Sequence, residues 1–398
     1  MRKKSPLRIC MMVTYDLTPR GGGVKVHAVR LAQALRRLGD EVTIIGPASA
    51  PVSEPGMHGL RGVVNVPSNG SDNYLGIFVC PYQIRRFFRE HAFDVIHVHE
   101  PHNPTLSYWS TWMTRDIPHV ATFHAFAEQE SRSRLFARRF FGTTLLPWFQ
   151  RAIAVSPAAS RYASQAWKGP LSIIPNGVPT SLFRPAPPRD QLPLRLLFVG
   201  RLGDERKGVR FLIEAYERLQ RRGVPVTLDV VGELGGAPTP PALPGLTYHG
   251  SVDFQQLVER YHQCDVLVAP STGQESFGII LLEAMASAKP IICSDIEGYR
   301  QVVVREGSLL TPPGDAAALE QQIESFVALE PALRRRMGAA NLAHVQQYDW
   351  DNIARSVRGE YQLAMGHAVE PLELPVVQAP LAPPAEEARP VVSATGTR

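Results

Sequence analysis

At 398 residues the chain exceeds one comfortable hydrophobic core and predicts two domains with flanking segments. Its 44% hydrophobic and 20% charged residues suit a soluble globular protein, and a net charge of +5 is too mild at this length to imply nucleic acid. No apolar run reaches the about 18 residues of a membrane span, and the basic start Met1–Pro6 lacks the apolar core of a secretion signal, so the expected compartment is the cytoplasm.

The first predicted element is a strand over Leu7–Val13. Gly21-Gly22-Gly23 follow it and open a helix over Val24–Leu38. Glycines there let a ligand approach the backbone, but the Gly-Lys-Ser/Thr of a P-loop is missing and Val26 breaks a Gly-x-Gly-x-x-Gly. Strands over Val42–Ile45, Val95–His99, His119–Phe123, Ala152–Val155 and Ser172–Ile174 come next, with amphipathic runs such as Leu145–Gln150 between them. This alternation predicts a parallel sheet covered by helices on both faces. Arg85, Arg86 and Arg89 share a helix-like stretch with Phe87 and Phe88. Arg132, Arg134, Arg138 and Arg139 interleave with Leu135, Phe136, Phe140 and Phe141. Basic-aromatic segments of this kind can lie on an anionic membrane surface, and a solvated face over core aromatics is the plain alternative. His97, His99 and His102 with Glu100 suggest metal ligands, yet they end a strand and no cysteine joins them. A hydrogen-bonded cleft lining explains them equally, and no metal is assigned. His124 closes its strand and so reaches the cleft too; a satisfied structural histidine is its bland reading.

The pattern breaks at Pro175-Asn176-Gly177-Val178-Pro179, and Pro185, Pro187, Pro188 and Pro193 mark a linker. Alternation then restarts, with strands over Arg195–Gly200, Val226–Val231, Val266–Ala269 and Ile291–Cys293. Helices are predicted over Val209–Arg222, Phe254–Tyr261, Phe277–Ser287 and Ala316–Leu329. Two doubly wound Rossmann-like domains, residues 1–186 and 187–349, would thus bind a ligand where the carboxyl ends of their strands face one another across a cleft. Asp349-Trp350-Asp351 resembles an Asp-x-Asp metal motif but precedes the last helix, so Asp349 reads as its cap. That helix runs over residues 350–365. Residues 366–398 carry six prolines without periodicity and read as a disordered tail. The four cysteines, Cys10, Cys80, Cys264 and Cys293, are scattered without a Cys-x-x-Cys pair and read as core thiols.

Chemistry concentrates in the second half. Glu275 and Glu283 stand eight positions apart around Ser276-Phe277-Gly278 and an otherwise apolar helix. A buried carboxylate such as Glu283 requires a hydrogen-bond donor, and a neighbouring Arg is the bland partner. Glu275 lies ahead of the helix, beside backbone amides that could hold a phosphate. Arg201 follows a strand and Lys207-Gly208 open the next helix, so both cations sit where a diphosphate would lie.

Together these residues resemble a retaining glycosyltransferase of family 4, with the GT-B fold, from about Leu7 to Met365. The carriers are Glu275-x7-Glu283, Gly200-Arg201, Lys207-Gly208 and Ile174-Pro175-Asn176-Gly177-Val178. Within the family the chain is most similar to phosphatidylinositol mannosyltransferases, through His99-Glu100-Pro101, Ala121-Thr122-Phe123-His124, Asn69-Gly70-Ser71 and Tyr348-Asp349-Trp350. The resemblance implies that Arg201 and Lys207 hold the donor diphosphate. Glu275 would bind hydroxyls of the transferred sugar, Glu283 the ribose, and Gly22 and Gly23 would pass close to the phosphates. Ser276, Phe277 and Gly278 complete the donor side. His124 would contact the sugar near the reacting carbon, Tyr15 and Tyr74 would line the acceptor side, and the last helix would cross back to the first domain. His124, Glu275, Arg201 and Lys207 are the catalytic set.

The implied reaction moves a hexose, mannose first, from GDP-mannose or a UDP-sugar to a lipid or glycolipid. It would run peripherally at an anionic membrane, on the inner face of the plasma membrane, with no covalently bound cofactor and no indicated metal dependence. Two departures bear on specificity. An Arg that those enzymes use on the lipid phosphate falls at Tyr74, and the Asp and Lys that read guanine fall at Phe254 and Leu257. A UDP-sugar transferase acting on a soluble or polysaccharide acceptor, and a phosphorylase or epimerase on the same fold, are the rivals. A nucleotide-sugar-binding scaffold without turnover is a third.

Overall fold

A computed structural model describes residues 5–18, 22–65, 74–101, 106–124, 142–185, 191–273 and 275–368. In the first half β1 (Arg8–Val13), β2 (Glu41–Pro47) and β3 (Met57–Leu60) are followed by the short ribbon β4 (Val64–Asn65) and β5 (Tyr74–Leu75). Then come β6 (Val95–His99), β7 (His119–Phe123), β8 (Arg151–Ala154) and β9 (Leu171–Ile173). Helices α1 (Gly23–Arg37), α2 (Pro81–Glu90), α3 (Leu106–Met113) and α4 (Pro157–Ala163) connect them. The second half holds β10 (Leu194–Val199), β11 (Val226–Val231), β12 (Leu246–Gly250), β13 (Val266–Ala269), β14 (Ile291–Ser294) and β15 (Ser308–Thr311). Its helices are α5 (Val209–Arg221), α6 (Phe254–Gln263), α7 (Ile279–Ala286), α8 (Glu297–Arg300), α9 (Ala316–Ala328) and α10 (Pro331–Val345), and α11 (Trp350–Ala364) comes last.

The strands form two parallel sheets, ordered β3-β2-β1-β6-β7-β8-β9 and β12-β11-β10-β13-β14-β15. Central strands read as continuous apolar runs because helices cover both faces, and every residue of Val266–Ala269 and Ile291–Ser294 is buried. In each sheet the order reverses once, between β1 and β6 and between β10 and β13. The crevice at such a reversal is where doubly wound sheets bind ligands. The GT-B expectation therefore holds at the level of topology.

α11 belongs to the second half in sequence and to the first in space. Its Trp350, Ile353, Ala354, Val357 and Tyr361 join the core beneath β1 with Leu31 and Leu35 of α1. Two ion pairs with buried members fasten it: Arg358 to Asp40 at 2.8 Å and Arg151 to Glu360 at 2.7 Å. Asp349 caps it, accepting from the Asp351 amide at 2.9 Å, as its position suggests.

Several expectations change. Leu145–Gln150 is a single 3₁₀ turn, Leu146–Trp148, because Pro147 removes a backbone donor and the run is too short for a helix. Cys80 is exposed ahead of Pro81 at the start of α2, whereas Cys10, Cys264 and Cys293 are buried thiols. β3, β12, β15, α3, α4 and α10 add to the predicted elements. The basic stretch at 132–141, His102 and Asn69-Gly70-Ser71 lie outside the described residues, as does nearly all of the Pro-rich tail.

Candidate active site

Helix starts differ in their caps, and α2, α8 and α10 begin without a side-chain cap at Cys80, Ile296 and Glu330. α4, α6, α9 and α11 are capped by the side chains of Ser156, Asp253, Asp315 and Asp349. α1, α5 and α7 begin instead at Gly22, Gly208 and Gly278, with no side-chain cap. An uncapped start leaves backbone N–H groups and the positive end of the helix dipole for an anion. A Cβ built on Gly22 or Gly23 would meet nothing within 4 Å, so that backbone faces open space. Gly208 and Gly278 hold φ of +68° and +87°, and a Cβ at Gly208 would stand 2.0 Å from the Pro270 carbonyl. Only glycine suits that place.

Arg201 leaves the end of β10, Lys207 ends the 3₁₀ turn Glu205–Lys207 before Gly208, and Glu275 follows β13. All three gather at the order reversal of the second sheet. Lys207 Nζ lies 2.5 Å from Glu275 Oε1, and Arg201 pairs with Glu233 at 3.6 Å. The Glu275 backbone is braced by Gly298, where a Cβ would sit 1.9 Å from its carbonyl oxygen. Gln301 Nε2 donates to the Ser276 carbonyl at 2.9 Å, and Phe277 packs in the core. Glu283 receives its hydrogen bond from Tyr261 Oη, at 2.8 Å, so the required donor is a tyrosine from α6. Burial pushes its carboxyl up to about 7, against the opposing pull of the Tyr261 bond and of Arg30 from α1. Arg30 reaches across the cleft, its guanidinium 4.5 Å from the centre of the Phe254 ring.

On the facing wall His124 follows β7. Its backbone N–H donates to Glu100 Oε1 at 2.6 Å, and its ring Nε2 lies 3.0 Å from His99 Nδ1. Glu100 adopts φ of +56°, a conformation rare outside glycine that aims its carboxylate at the His124 amide. His97 is bound by Tyr361 of α11 at 2.7 Å and by Thr122 at 2.6 Å, which makes it cleft lining rather than a free ligand. Burial holds His124 down to about 4 and His97 down to about 3, so both are neutral near pH 7. His27 in α1 bonds Asn176 at 2.8 Å and its ring stands 5.0 Å from that of Trp350. His27 was not singled out in the sequence, where its only signal is a histidine among the apolar positions of α1. Tyr15 bridges to Leu75, and Tyr74 lines a cavity of about 730 Å³ with Ser49, Arg61 and Asn65.

The family profile for Glycosyltransferase Family 4 matches residues 21–182, and that for Glycosyl transferases group 1 matches 193–328. The phosphatidyl-myo-inositol mannosyltransferase of Mycobacterium leprae is 33% identical over 370 residues, covering 89% of this chain and 96% of that protein. The chain belongs to glycosyltransferase family 4. Solved structures agree on the fold of this family 4 glycosyltransferase. The sucrose-phosphate synthase of Thermosynechococcus elongatus superimposes with a TM-score of 0.69 at 23% identity, over 90% of this chain and 99% of that one. The Anabaena protein HepE in complex with UDP-glucose gives 0.67 at 16% identity, over 88% and 98%.

Proposed function

We propose that this family 4 glycosyltransferase moves a hexose, mannose first, from a nucleotide-diphosphate sugar to a lipid or glycolipid acceptor at a membrane surface, with retention of anomeric configuration. The observation that carries the reading is the Lys207–Glu275 pair beside Arg201 and the uncapped starts of α5 and α7. In the free enzyme each charge of the pair satisfies the other. A donor diphosphate would take Lys207 and Arg201, which releases Glu275 to accept from sugar hydroxyls. Glu283 would accept from the ribose, and the Gly22–Gly23 backbone would approach the phosphates.

As the glycosidic bond breaks, charge grows on the departing diphosphate, where Arg201 and Lys207 stabilise it. That oxygen would take the acceptor's proton on the same face, while His124 contacts the sugar. The cavity beside Tyr74 is the candidate acceptor pocket. The mycobacterial relative's name supports a phosphatidylinositol-type lipid. On α2, Phe87 is buried and Phe88 half-buried, so the aromatics named with Arg85, Arg86 and Arg89 are core residues. Exposed Phe78 and Tyr82 beside those arginines are what supports docking on an anionic surface, and no helix among the described residues is long and apolar enough to cross a membrane.

Thermal shift with GDP-, UDP- and ADP-sugars tests the donor. The right nucleotide at about 100 Kd adds about 2.7 kcal/mol, and Lys207→Ala and Glu275→Ala weaken that gain. If no nucleotide sugar stabilises the wild type, the transferase reading fails. NMR of the product anomer tests retention, and a trapped glycosyl adduct on Glu275 would overturn the same-face route.

A further inference from the structure

Three histidines meet in the cleft wall in a way that sugar transfer does not require. His27 comes from α1, His99 ends β6 and His124 follows β7. One ring nitrogen of each lies within 4.8 Å of the other two. His27 and His99 are buried, while His124 keeps part of its surface open.

Three features distinguish this group from ordinary cleft lining. The first is proximity: His99 Nδ1 and His124 Nε2 lie 3.0 Å apart, close to the spacing of two ligands on one ion. The second is tautomer control. Asn176 Oδ1 lies 2.8 Å from His27 Nδ1, and an amide oxygen only accepts, so the proton sits on Nδ1 and Nε2 is left as a lone pair. Ligating histidines are characteristically oriented this way by an outer acceptor. The third is an unmet demand: His99 Nε2 is buried with no hydrogen-bond partner among the described residues, at 0% exposure of the residue. His97, whose ring lies 4.3 Å from that of His99, stays out of the set because Tyr361 and Thr122 occupy both of its nitrogens.

We propose that His27, His99 and His124 form a binding site for a divalent transition cation of the zinc class, entered from the cleft, whose occupancy competes with the donor sugar. Three neutral imidazoles match zinc rather than magnesium or calcium, which take oxygen ligands. Bonds of about 2.0–2.1 Å place tetrahedral ligand nitrogens roughly 3.3 Å apart, so the widest pair closes by up to about 1.5 Å on binding. A fourth position remains for water, and an ion held there would keep His124 from the donor sugar that it is proposed to contact.

The full-length, metal-free protein titrated with Co²⁺ is the test. One equivalent should develop the intense visible absorption of a four- or five-coordinate nitrogen site, and Zn²⁺ should displace it. His27→Gln and His99→Gln should each weaken binding at least 100-fold, and Asn176→Leu by about 10–100-fold. His91→Gln, at an exposed residue of α2's end, should leave the titration unchanged. If the buried variants fail to fold by circular dichroism, His124→Gln on the open wall replaces them. A pale octahedral spectrum, or an unaltered titration in these variants, overturns the site. Calorimetry of the donor at saturating Zn²⁺ should show at least tenfold weaker binding, and unchanged donor affinity overturns the competition. The optical readout needs no turnover, so it stands apart from the transferase assay.

Discussion

Glu283 gains a proton affinity on folding that the unfolded chain lacks. Between about 4.5 and 7 the native state holds a proton that the unfolded state has released, so stability falls as pH rises through that window and stays lower above it. Glu283→Gln should therefore be more stable than wild type by about 3 kcal/mol at about pH 8, with the gap closing by about pH 4. Urea unfolding at both pH values checks this, and a gap that persists in acid would refute the assignment. Lys207→Ala should cost about 100- to 1000-fold in kcat, because a cation facing the leaving diphosphate acts mainly in the transition state. Single-turnover rates at saturating donor measure it. The need of Glu283 for a donor was legible in the sequence. Its partner was not: Tyr261 stands 22 residues away, and only the packing of α6 against α7 brings the two together.

Among elements, α8 controls the placement of Glu275 without touching the donor side directly. A Cβ at Gly298 would force the Glu275 carbonyl away, so Gly298→Ala should lower kcat/KM by about 100-fold with the global fold intact. Steady-state kinetics beside a normal circular dichroism spectrum is the check. The crossover helix offers a second contrast. Asp40 is fully buried at its pair with Arg358, so Asp40→Ala should cost about 3–5 kcal/mol. Arg37 and Asp351 are about half exposed, and Arg37→Ala should cost under about 1 kcal/mol in the same denaturation series. The central strands and long helices were legible because parallel strands buried on both faces are unbroken apolar runs. Met57–Leu60 and Ser308–Thr311 were not, being four-residue edge strands, the first interrupted by Gly59. The uncapped starts of α1, α5 and α7 were legible as glycines, whereas their shared position at the order reversals required the topology.

For the whole molecule, the two halves touch across the cleft through Arg30 over Phe254 and through Arg161 with Glu297 at 2.5 Å. The latter pair is exposed, so salt should loosen it. The proposed attachment to lipid would be governed by the same screening. Wild type should float with anionic liposomes at low salt, and the triple change of Arg85, Arg86 and Arg89 to Ala should abolish this. Equal flotation of the two would remove α2 from the docking surface.

Trp350, Ile353, Val357 and Tyr361 complete the core beneath β1, and Tyr361 also holds His97 in the cleft wall. During synthesis, then, the half of the protein made first is finished by the stretch made after the entire second half. Until residue 364 has cleared the ribosome, the first sheet keeps an open apolar flank and the histidine wall lacks its brace. The nascent amino-terminal half should therefore be prone to aggregation throughout the time the second half is being translated. An early stop after Asp349 should destabilise the first half, even though it leaves every strand of both sheets intact.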